Sequence, residues 1–182
     1  MNTAYIIHRW EGTPQDDWYP WLRDRLVEQG WQVIIPSMPN TQAPQIDDWV
    51  GTLHKLVSSP DGNTVFIGHS IGCQTILRYL ETLPSNTQVG PVHLAAPWMK
   101  LENLADARSK AIAQPWQTKP MEWQEIRPKA QKFVAYFSTD DPWVVPENTE
   151  IFQINLNAEI IQLPGRGHIT DPTFPELVSK LI

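Results

Sequence analysis

The sequence predicts an α/β fold, a three-layer sandwich in which helices cover both faces of a mostly parallel six-stranded sheet. Short apolar runs alternate along the chain with segments whose apolar residues recur at helical spacing. Such alternation is typical of parallel sheets, because parallel strands are joined by crossover helices. The chain has 182 residues and a hydrophobic content of 41%, which is enough for one domain with its own core, residues 1–182.

Six apolar runs are predicted as strands: Ala4–His8, Trp31–Pro36, Asn63–Gly68, Pro91–Pro97, Lys132–Ser138 and Ala158–Pro164. Five segments show helical periodicity or composition: Trp18–Gly30, Ile46–Ser58, Ile71–Leu83, Pro146–Leu156 and Thr173–Ile182. Gly30 is suited to end the first helix, because glycine readily adopts the left-handed conformation at helix C-termini. The segment at about 98–130 is too short for a second domain, and it is predicted to form a helical cover over one end of the sheet.

Composition limits the possible partners and the compartment. The net charge is −6 and the chain has no basic run, which argues against nucleic acid and anionic membranes as partners. No apolar stretch approaches the length of about 18 residues that a transmembrane helix needs. Cys73 is the single cysteine, so no disulfide can form within the chain, and the first residues do not resemble a signal peptide. These features predict a cytoplasmic protein, and they leave its oligomeric state open.

The pentapeptide Gly68-His69-Ser70-Ile71-Gly72 has the form G-x-S-x-G. It follows a predicted strand directly and opens a predicted helix, which is the context of a nucleophile elbow. Glycine is expected on both sides of Ser70, where side chains would collide with the neighbouring strand and helix. The alternative is a tight turn without chemistry, because a pattern this short also arises by chance.

A serine hydroxyl needs a base and an orienting acid before it becomes a good nucleophile. When the nucleophile lies on such an elbow, the acid and then the histidine follow it in the chain. Asp140 and Asp141 come directly after the fifth predicted strand, and His168 comes after the sixth, in a glycine-flanked loop. Both aspartates lie at the place in the chain where the acid is expected, so either can fill that role. The alternative for His168 is an ordinary surface histidine.

The remaining histidines are less suited to act as the base. His54 lies within a predicted helix and His93 within a predicted strand. His69 is adjacent to the serine and faces away from it, and His8 belongs to the loop after the first strand. That loop is expected to supply one of two backbone donors to the oxyanion. We assign the donors to the N–H groups of Ile71 and Trp10, with Arg9 as the alternative to Trp10.

Several stretches together resemble the compact α/β-hydrolases of the retinoblastoma-binding protein nine and YdeN-like serine hydrolase family. They are HRWEGTPQDDWYPWLRDRL, PSMPNTQAPQIDDWVGTL, FIGHSIGCQTILRYLE, STDDPWVVP and GRGHIT, and they extend along nearly the whole chain. The resemblance implies that Ser70 is the nucleophile, His168 the base and Asp141 the acid. The sequence departs from the family pattern at two places. Arg9 stands where relatives often have glycine, and the segment PWVVP is one residue longer than the usual family spacing. The longer spacing keeps Asp140 as an alternative acid.

The resulting hypothesis is a serine hydrolase that cleaves a small ester or thioester through an acyl-enzyme on Ser70, with no cofactor and no metal. Three residues of the cover, Trp98, Trp116 and Trp123, are candidates for an apolar acyl pocket, and plain packing against the sheet edge is the alternative. The competing hypothesis is a binding protein that keeps the hydrolase fold as a scaffold, because a fold does not determine function.

Overall fold

A computed structural model describes all residues, Met1–Ile182. The predicted α/β class is confirmed: six strands form one sheet, and each pair of neighbouring strands is parallel. The strands are β1 (Thr3–Ile7), β2 (Gln32–Ile34), β3 (Thr64–His69), β4 (Val92–Ala95), β5 (Phe133–Ser138) and β6 (Glu159–Leu163). Their order across the sheet is β2-β1-β3-β4-β5-β6.

Seven α-helices connect and follow these strands. They are α1 (Tyr19–Glu28), α2 (Ile46–Leu56), α3 (Ile71–Glu81), α4 (Ala107–Thr118), α5 (Trp123–Ile126), α6 (Glu147–Leu156) and α7 (Pro175–Leu181). Gly30, predicted to end the first helix, has φ of 79° and lies two residues beyond the last residue of α1. Between β4 and β5, α4, α5 and a short 3₁₀ turn (Arg127–Lys129) occupy the segment predicted as the helical cover.

The helices form two layers, one on each side of the sheet. Helices α2, α3, α5 and α6 pack against one another in succession. The chain before α1 and the chain before α7 meet through Trp18 and Phe174, whose ring centroids are 5.4 Å apart. No helix is long and apolar enough to cross a membrane.

The centre of the sheet is the most deeply buried part of the molecule. Every residue of β3 is buried, as is every residue of α3 from Ile71 to Leu80. Continuous apolar sequence such as TVFI is expected for a strand with helices on both faces. The edge strand β2 is half-exposed and has only three residues, fewer than the run predicted from Trp31 to Pro36. Proline lacks the N–H group that would extend the ladder there.

A buried histidine, His93, lies in this core. His93 of β4 is inaccessible to solvent, and its Nδ1 lies 2.9 Å from the hydroxyl of Tyr136 on β5. The other ring nitrogen, Nε2, has no hydrogen-bond partner. Burial, with Lys132 and Lys180 as minor contributors, lowers the pKa of His93 from 6.5 to about 3.

We expect His93 to make the fold acid-sensitive. Between pH 6.5 and about pH 3 the unfolded chain binds a proton at this histidine and the folded chain does not, so stability falls as the pH falls. The loss attributable to this group is at most about 1.4 kcal/mol per pH unit. His93→Gln keeps a hydrogen-bonding side chain without titrating, and its free energy of unfolding should decline less steeply in denaturant titrations across this range. The exposed histidine of α2, replaced in His54→Gln, is the control; equal slopes for His93→Gln and wild type would contradict the expectation.

Candidate active site

A cavity of about 620 Å³ opens at the carboxyl edge of the sheet. The loops that follow β1, β3, β4, β5 and β6 all contribute to its wall. This is the expected place for a site in a parallel α/β sheet, because the strand ends converge there. The residues that line it are Arg9, Trp10, Glu11, Asp17, Ser70, Trp98, Leu101, Leu104, Ala105, Ser109, Trp143, His168 and Thr170. Ser70 and His168, which the sequence placed in separate loops, therefore share one cavity.

Ser70 occupies the sharp turn between β3 and α3. Its backbone has φ of 54° and ψ of −119°, a strained conformation for a residue with a side chain. Its N–H donates to the carbonyl of Ala95 at the end of β4, 2.8 Å away. A Cβ at Gly72 would overlap the carbonyl oxygen of Ile7, and one at Gly68 would lie 2.8 Å from the backbone of α3. This close packing explains why glycine is needed on both sides of the serine, as the sequence predicted.

His168 is held by Asp141. The Nδ1 atom of the histidine lies 2.7 Å from Oδ2 of Asp141, and both side chains are nearly inaccessible to solvent. The other carboxylate oxygen, Oδ1, accepts hydrogen bonds from the backbone N–H groups of Trp143 and Val144, at 3.0 and 3.1 Å. A carboxylate fixed in this way favours the tautomer with the proton on Nδ1. Nε2 is then an acceptor.

Asp140 has a different environment. Its Oδ1 accepts from the hydroxyl of Ser138 at 2.7 Å and from the N–H of Gly167 at 2.9 Å. These two hydrogen bonds lower the pKa of the Asp140 carboxyl. Both aspartates thus contact the loop that carries His168, but only Asp141 contacts the imidazole. Asp140 instead ties the backbone of that loop to the end of β5.

Three other histidines lie away from the reactive position. His8 is buried, its Nδ1 lies 2.9 Å from the carbonyl of Arg9, and its Nε2 accepts from the N–H of Met38 at 3.1 Å. Burial lowers the pKa of His8, so the ring is neutral and ties two loops together. His54 is exposed on α2, and His93 lies in the core.

His69 connects three segments of the site through buried hydrogen bonds. The N–H of Arg9 donates to the hydroxyl of Tyr19 at 3.1 Å, and that hydroxyl lies 2.6 Å from Nδ1 of His69. Nε2 of His69 lies 2.8 Å from the carbonyl oxygen of His168. Since a carbonyl can only accept, Nε2 carries the proton and Nδ1 accepts from Tyr19. We call these four residues the Tyr19–His69 chain. Tyr19 was not identified from the sequence, where its position at the start of a helix carries no functional signal.

The backbone donors of the loop after β1 can be distinguished by their partners. The Arg9 N–H is engaged by Tyr19, whereas the Trp10 N–H makes no hydrogen bond within the protein. This geometry favours Trp10 over Arg9 as the available donor. Ile71, the other predicted donor, is the first residue of α3, where N–H groups lack intrahelical partners and the helix dipole favours negative charge.

The side chain of Arg9 is directed at Asp17. Nε of the guanidinium lies 2.7 Å from Oδ2 of Asp17, and Nη1 donates to the carbonyl of Trp10 at 3.2 Å. Burial acts to lower the pKa of the cationic Arg9, but the hydrogen bond and the charge of Asp17 outweigh it and raise that pKa. An arginine at this position therefore fixes the Trp10 peptide from its carbonyl side.

Of the three tryptophans assigned to an acyl pocket, the structure brings only Trp98 into the cavity. Its indole Nε1 donates to Oγ of Ser70 at 3.2 Å. Trp116 is fully buried elsewhere, and its Nε1 donates to the carbonyl of Pro44 at 3.1 Å. Trp123 packs edge-on against Phe152 of α6, with ring centroids 5.9 Å apart. For these two residues the alternative of structural packing is the correct one, because α4 and α5 turn these indoles toward the core.

The apolar wall is instead supplied by residues that the sequence did not single out. Leu101 and Leu104 come from the cover, and Trp143 follows Asp141. Trp143 is 41% exposed, and its ring stands edge-on to the imidazole of His168, with centroids 5.0 Å apart. Its place two residues after Asp141, the predicted acid, was the one available signal. No group of three or more His, Cys, Asp or Glu side chains converges in a way that could hold a metal ion.

The chain is similar in sequence to two known proteins. The putative hydrolase YdeN of Bacillus subtilis is 38% identical over 97 residues, which is 53% of this chain and about half, 51%, of that protein. Serine hydrolase RBBP9 of Rattus norvegicus is 27% identical over 165 residues, covering 88% of this chain and 82% of RBBP9.

The crystal structure of the ydeN gene product from B. subtilis superposes with a TM-score of 0.90 at 26% identity, over 100% of this chain and 97% of that one. Together with the parallel sheet, this identifies an α/β-hydrolase fold. The chain also matches the serine hydrolase family over residues 4–173. With the G-x-S-x-G elbow and the shared cavity already described, this match shows that the chain belongs to the serine hydrolase family.

Proposed function

We propose that this protein is an esterase-like serine hydrolase that cleaves a small ester or thioester through an acyl-enzyme on Ser70. The observation that carries the proposal is the shared cavity of Ser70 and His168, with Nδ1 of the imidazole held by Asp141 at 2.7 Å. A serine on a strained elbow beside an oriented imidazole is the arrangement that activates a hydroxyl. The cavity volume of about 620 Å³ lies within the range of about 300–1,000 Å³ common for small-molecule sites.

The reaction then proceeds in two halves. His168 Nε2 removes the hydroxyl proton of Ser70 as Oγ attacks the carbonyl carbon, and the resulting imidazolium protonates the leaving alcohol or thiol. Asp141 keeps the proton of Nδ1 in place and stabilises the imidazolium. Water next attacks the acyl-enzyme with His168 as base, and the carboxylic acid leaves. In this scheme Ser70 and water are the nucleophiles, and His168 accepts and returns each proton.

The oxyanion of each tetrahedral intermediate is assigned to the N–H groups of Ile71 and Trp10. This assignment is supported by the unengaged Trp10 N–H and by the position of Ile71 at the start of α3. Preorganised donors of this kind are worth roughly 10²–10³ in rate each. The Arg9–Asp17 ion pair and the Tyr19–His69 chain hold the Trp10 loop beside the elbow.

Covalent labelling tests the proposal directly. We expect a fluorophosphonate probe to modify wild-type protein at Ser70 and to leave folded Ser70→Ala unmodified, because only this serine has an oriented base. Ser109, which lines the same cavity, provides the control: Ser109→Ala should be labelled like wild type. Peptide mapping by mass spectrometry locates the adduct. A folded wild-type protein that takes no label at Ser70 would instead favour a non-catalytic scaffold.

The two adjacent aspartates should differ sharply on substitution. In Asp141→Asn the amide oxygen would accept from the Trp143 and Val144 N–H groups, so the NH₂ group would face Nδ1 of His168. That arrangement favours the tautomer with the proton on Nε2, and kcat should fall by roughly 10⁴-fold, the loss found in another Ser-His-Asp enzyme. The amide oxygen of Asp140→Asn can still accept from Ser138 and Gly167, so its kcat should fall by less than about tenfold. Steady-state hydrolysis of p-nitrophenyl acetate measures both, and a reversed order would make Asp140 the acid.

The wall formed by Leu101, Leu104 and Trp143 sets the expected acyl length. We expect kcat/KM for p-nitrophenyl esters to rise from acetate to about butyrate or hexanoate and then to fall, since each buried methylene contributes about 0.8 kcal/mol until the wall ends. Leu104→Ala should reduce the ratio of kcat/KM for hexanoate to that for acetate several-fold, because each methylene that loses its apolar contact forfeits about 0.8 kcal/mol. Leu56→Ala, on the exposed part of α2 outside the cavity, should not change it. A maximum at dodecanoate in detergent-free assays would contradict this expectation.

A further inference from the structure

The two-step scheme makes no use of the hydrogen bond that Trp98 donates to Oγ of Ser70. The indole Nε1–H of Trp98 donates to Oγ of Ser70 at 3.2 Å, and Trp98 is 1% exposed. Tryptophan offers a donor and no acceptor. The hydrogen bond therefore has a fixed direction, from the indole to the serine oxygen.

The indole is held in place through its backbone. The carbonyl of Trp98 accepts from Nε2 of Gln74 on α3 at 2.9 Å. The next N–H, that of Met99, donates to Oδ1 of Asn148 at 2.7 Å. Asn148 is itself fully buried and hydrogen-bonded through both amide atoms. The donor to Oγ is therefore anchored to two helices, α3 and α6, and is preorganised.

The direction of this hydrogen bond decides where the serine proton points. A hydroxyl has one proton and two lone pairs, and the indole occupies one of those lone pairs. Because Trp98 cannot accept, the proton of Ser70 must be donated elsewhere. Within the cavity the unprotonated Nε2 of His168 is the acceptor that the mechanism requires. The indole thus leaves the hydroxyl in the donor state suited to proton transfer.

We propose that Trp98 is a further catalytic residue, whose indole N–H stabilises the negative charge that returns to Oγ of Ser70 when the acyl-enzyme is hydrolysed. The inference rests on the proposed function. In deacylation, water adds to the acyl carbon and gives its proton to His168. The tetrahedral intermediate then collapses, and the bond between Oγ and the acyl carbon breaks. The electron pair of that bond goes to Oγ, which takes a proton from the His168 imidazolium.

A donor fixed on Oγ lowers the basicity of this oxygen and makes it a better leaving group. The same donor makes Oγ a slightly weaker nucleophile in acylation, so its benefit falls on the second half-reaction. This separates Trp98 from the Ile71 and Trp10 donors, which bind the carbonyl oxygen and act on both halves. It also separates Trp98 from a residue that only shapes the cavity, whose loss would alter substrate binding.

Pre-steady-state hydrolysis of p-nitrophenyl butyrate tests the inference. In Trp98→Phe we expect the deacylation rate and kcat to fall about tenfold, the scale of one hydrogen bond, while KM falls in parallel and kcat/KM stays within about threefold. The burst of p-nitrophenol should approach one equivalent per protein, and acyl-enzyme should accumulate in quenched samples analysed by intact mass. Trp116→Phe is the matched control, because it also removes a buried indole hydrogen bond but lies outside the cavity. It should leave both half-reactions unchanged.

Other outcomes overturn the inference. An unchanged deacylation rate in Trp98→Phe would overturn it. An equal fall in the acylation and deacylation rates would also overturn it, because that result would indicate a packing role. If Trp98→Phe does not fold, 3-benzothienylalanine at position 98 removes the N–H while sulfur keeps the ring shape, and the same rates decide. A wild-type protein that forms no acyl-enzyme would overturn the proposed function and this inference together. A wild-type protein labelled at Ser70 whose deacylation does not depend on the indole N–H would overturn this inference alone.

Discussion

The Tyr19–His69 chain is the interaction on which the arrangement of the site depends. It joins the loop after β1, the elbow after β3 and the loop after β6 through three successive hydrogen bonds. Its central side chains are inaccessible to solvent, and burial raises the pKa of Tyr19 and lowers that of His69 well away from their ordinary values. Tyr19 and His69 are therefore neutral over the working pH range, and they keep their donor and acceptor roles fixed. Breaking one bond would leave a buried polar group without a partner, which typically costs about 1–3 kcal/mol.

The strain at Ser70 is maintained by the burial around it. A serine at φ of 54° would relax if the chain on either side could move. Here β3 and the first three turns of α3 are buried, and the backbone of Gly72 lies directly against the carbonyl of Ile7. The most deeply buried part of the core thus surrounds the strained serine. The nucleophile is fixed by the sheet, whereas the histidine and aspartate are fixed by hydrogen bonds within loops.

The cover over the cavity is also anchored to α3 at two places. Gln74 binds the carbonyl of Trp98 where the cover begins. One turn later, Arg78 donates to the carbonyls of Trp116, Lys119 and Pro120, where α4 ends. The helix that begins at the elbow therefore also positions the apolar wall opposite it. This shared support explains how a short segment between β4 and β5 can wall one side of the cavity.

The sequence by itself determined the parallel α/β class, the elbow at Ser70 and the candidate histidine, because each depends on local pattern and chain order. Apolar runs mark buried strands, and Gly68 and Gly72 mark a turn that side chains would block. The sequence favoured Asp141 and Trp10 but kept Asp140 and Arg9 as alternatives, because a local pattern does not show in which direction neighbouring residues point or which hydrogen bonds they make. In the tertiary structure Asp141, and not Asp140, contacts the imidazole, and the N–H of Arg9 is engaged by Tyr19. The same reason applies to the tryptophans. Trp98 reaches Ser70 whereas Trp116 enters the core, since packing between distant segments decides which face of the cover turns toward the cavity.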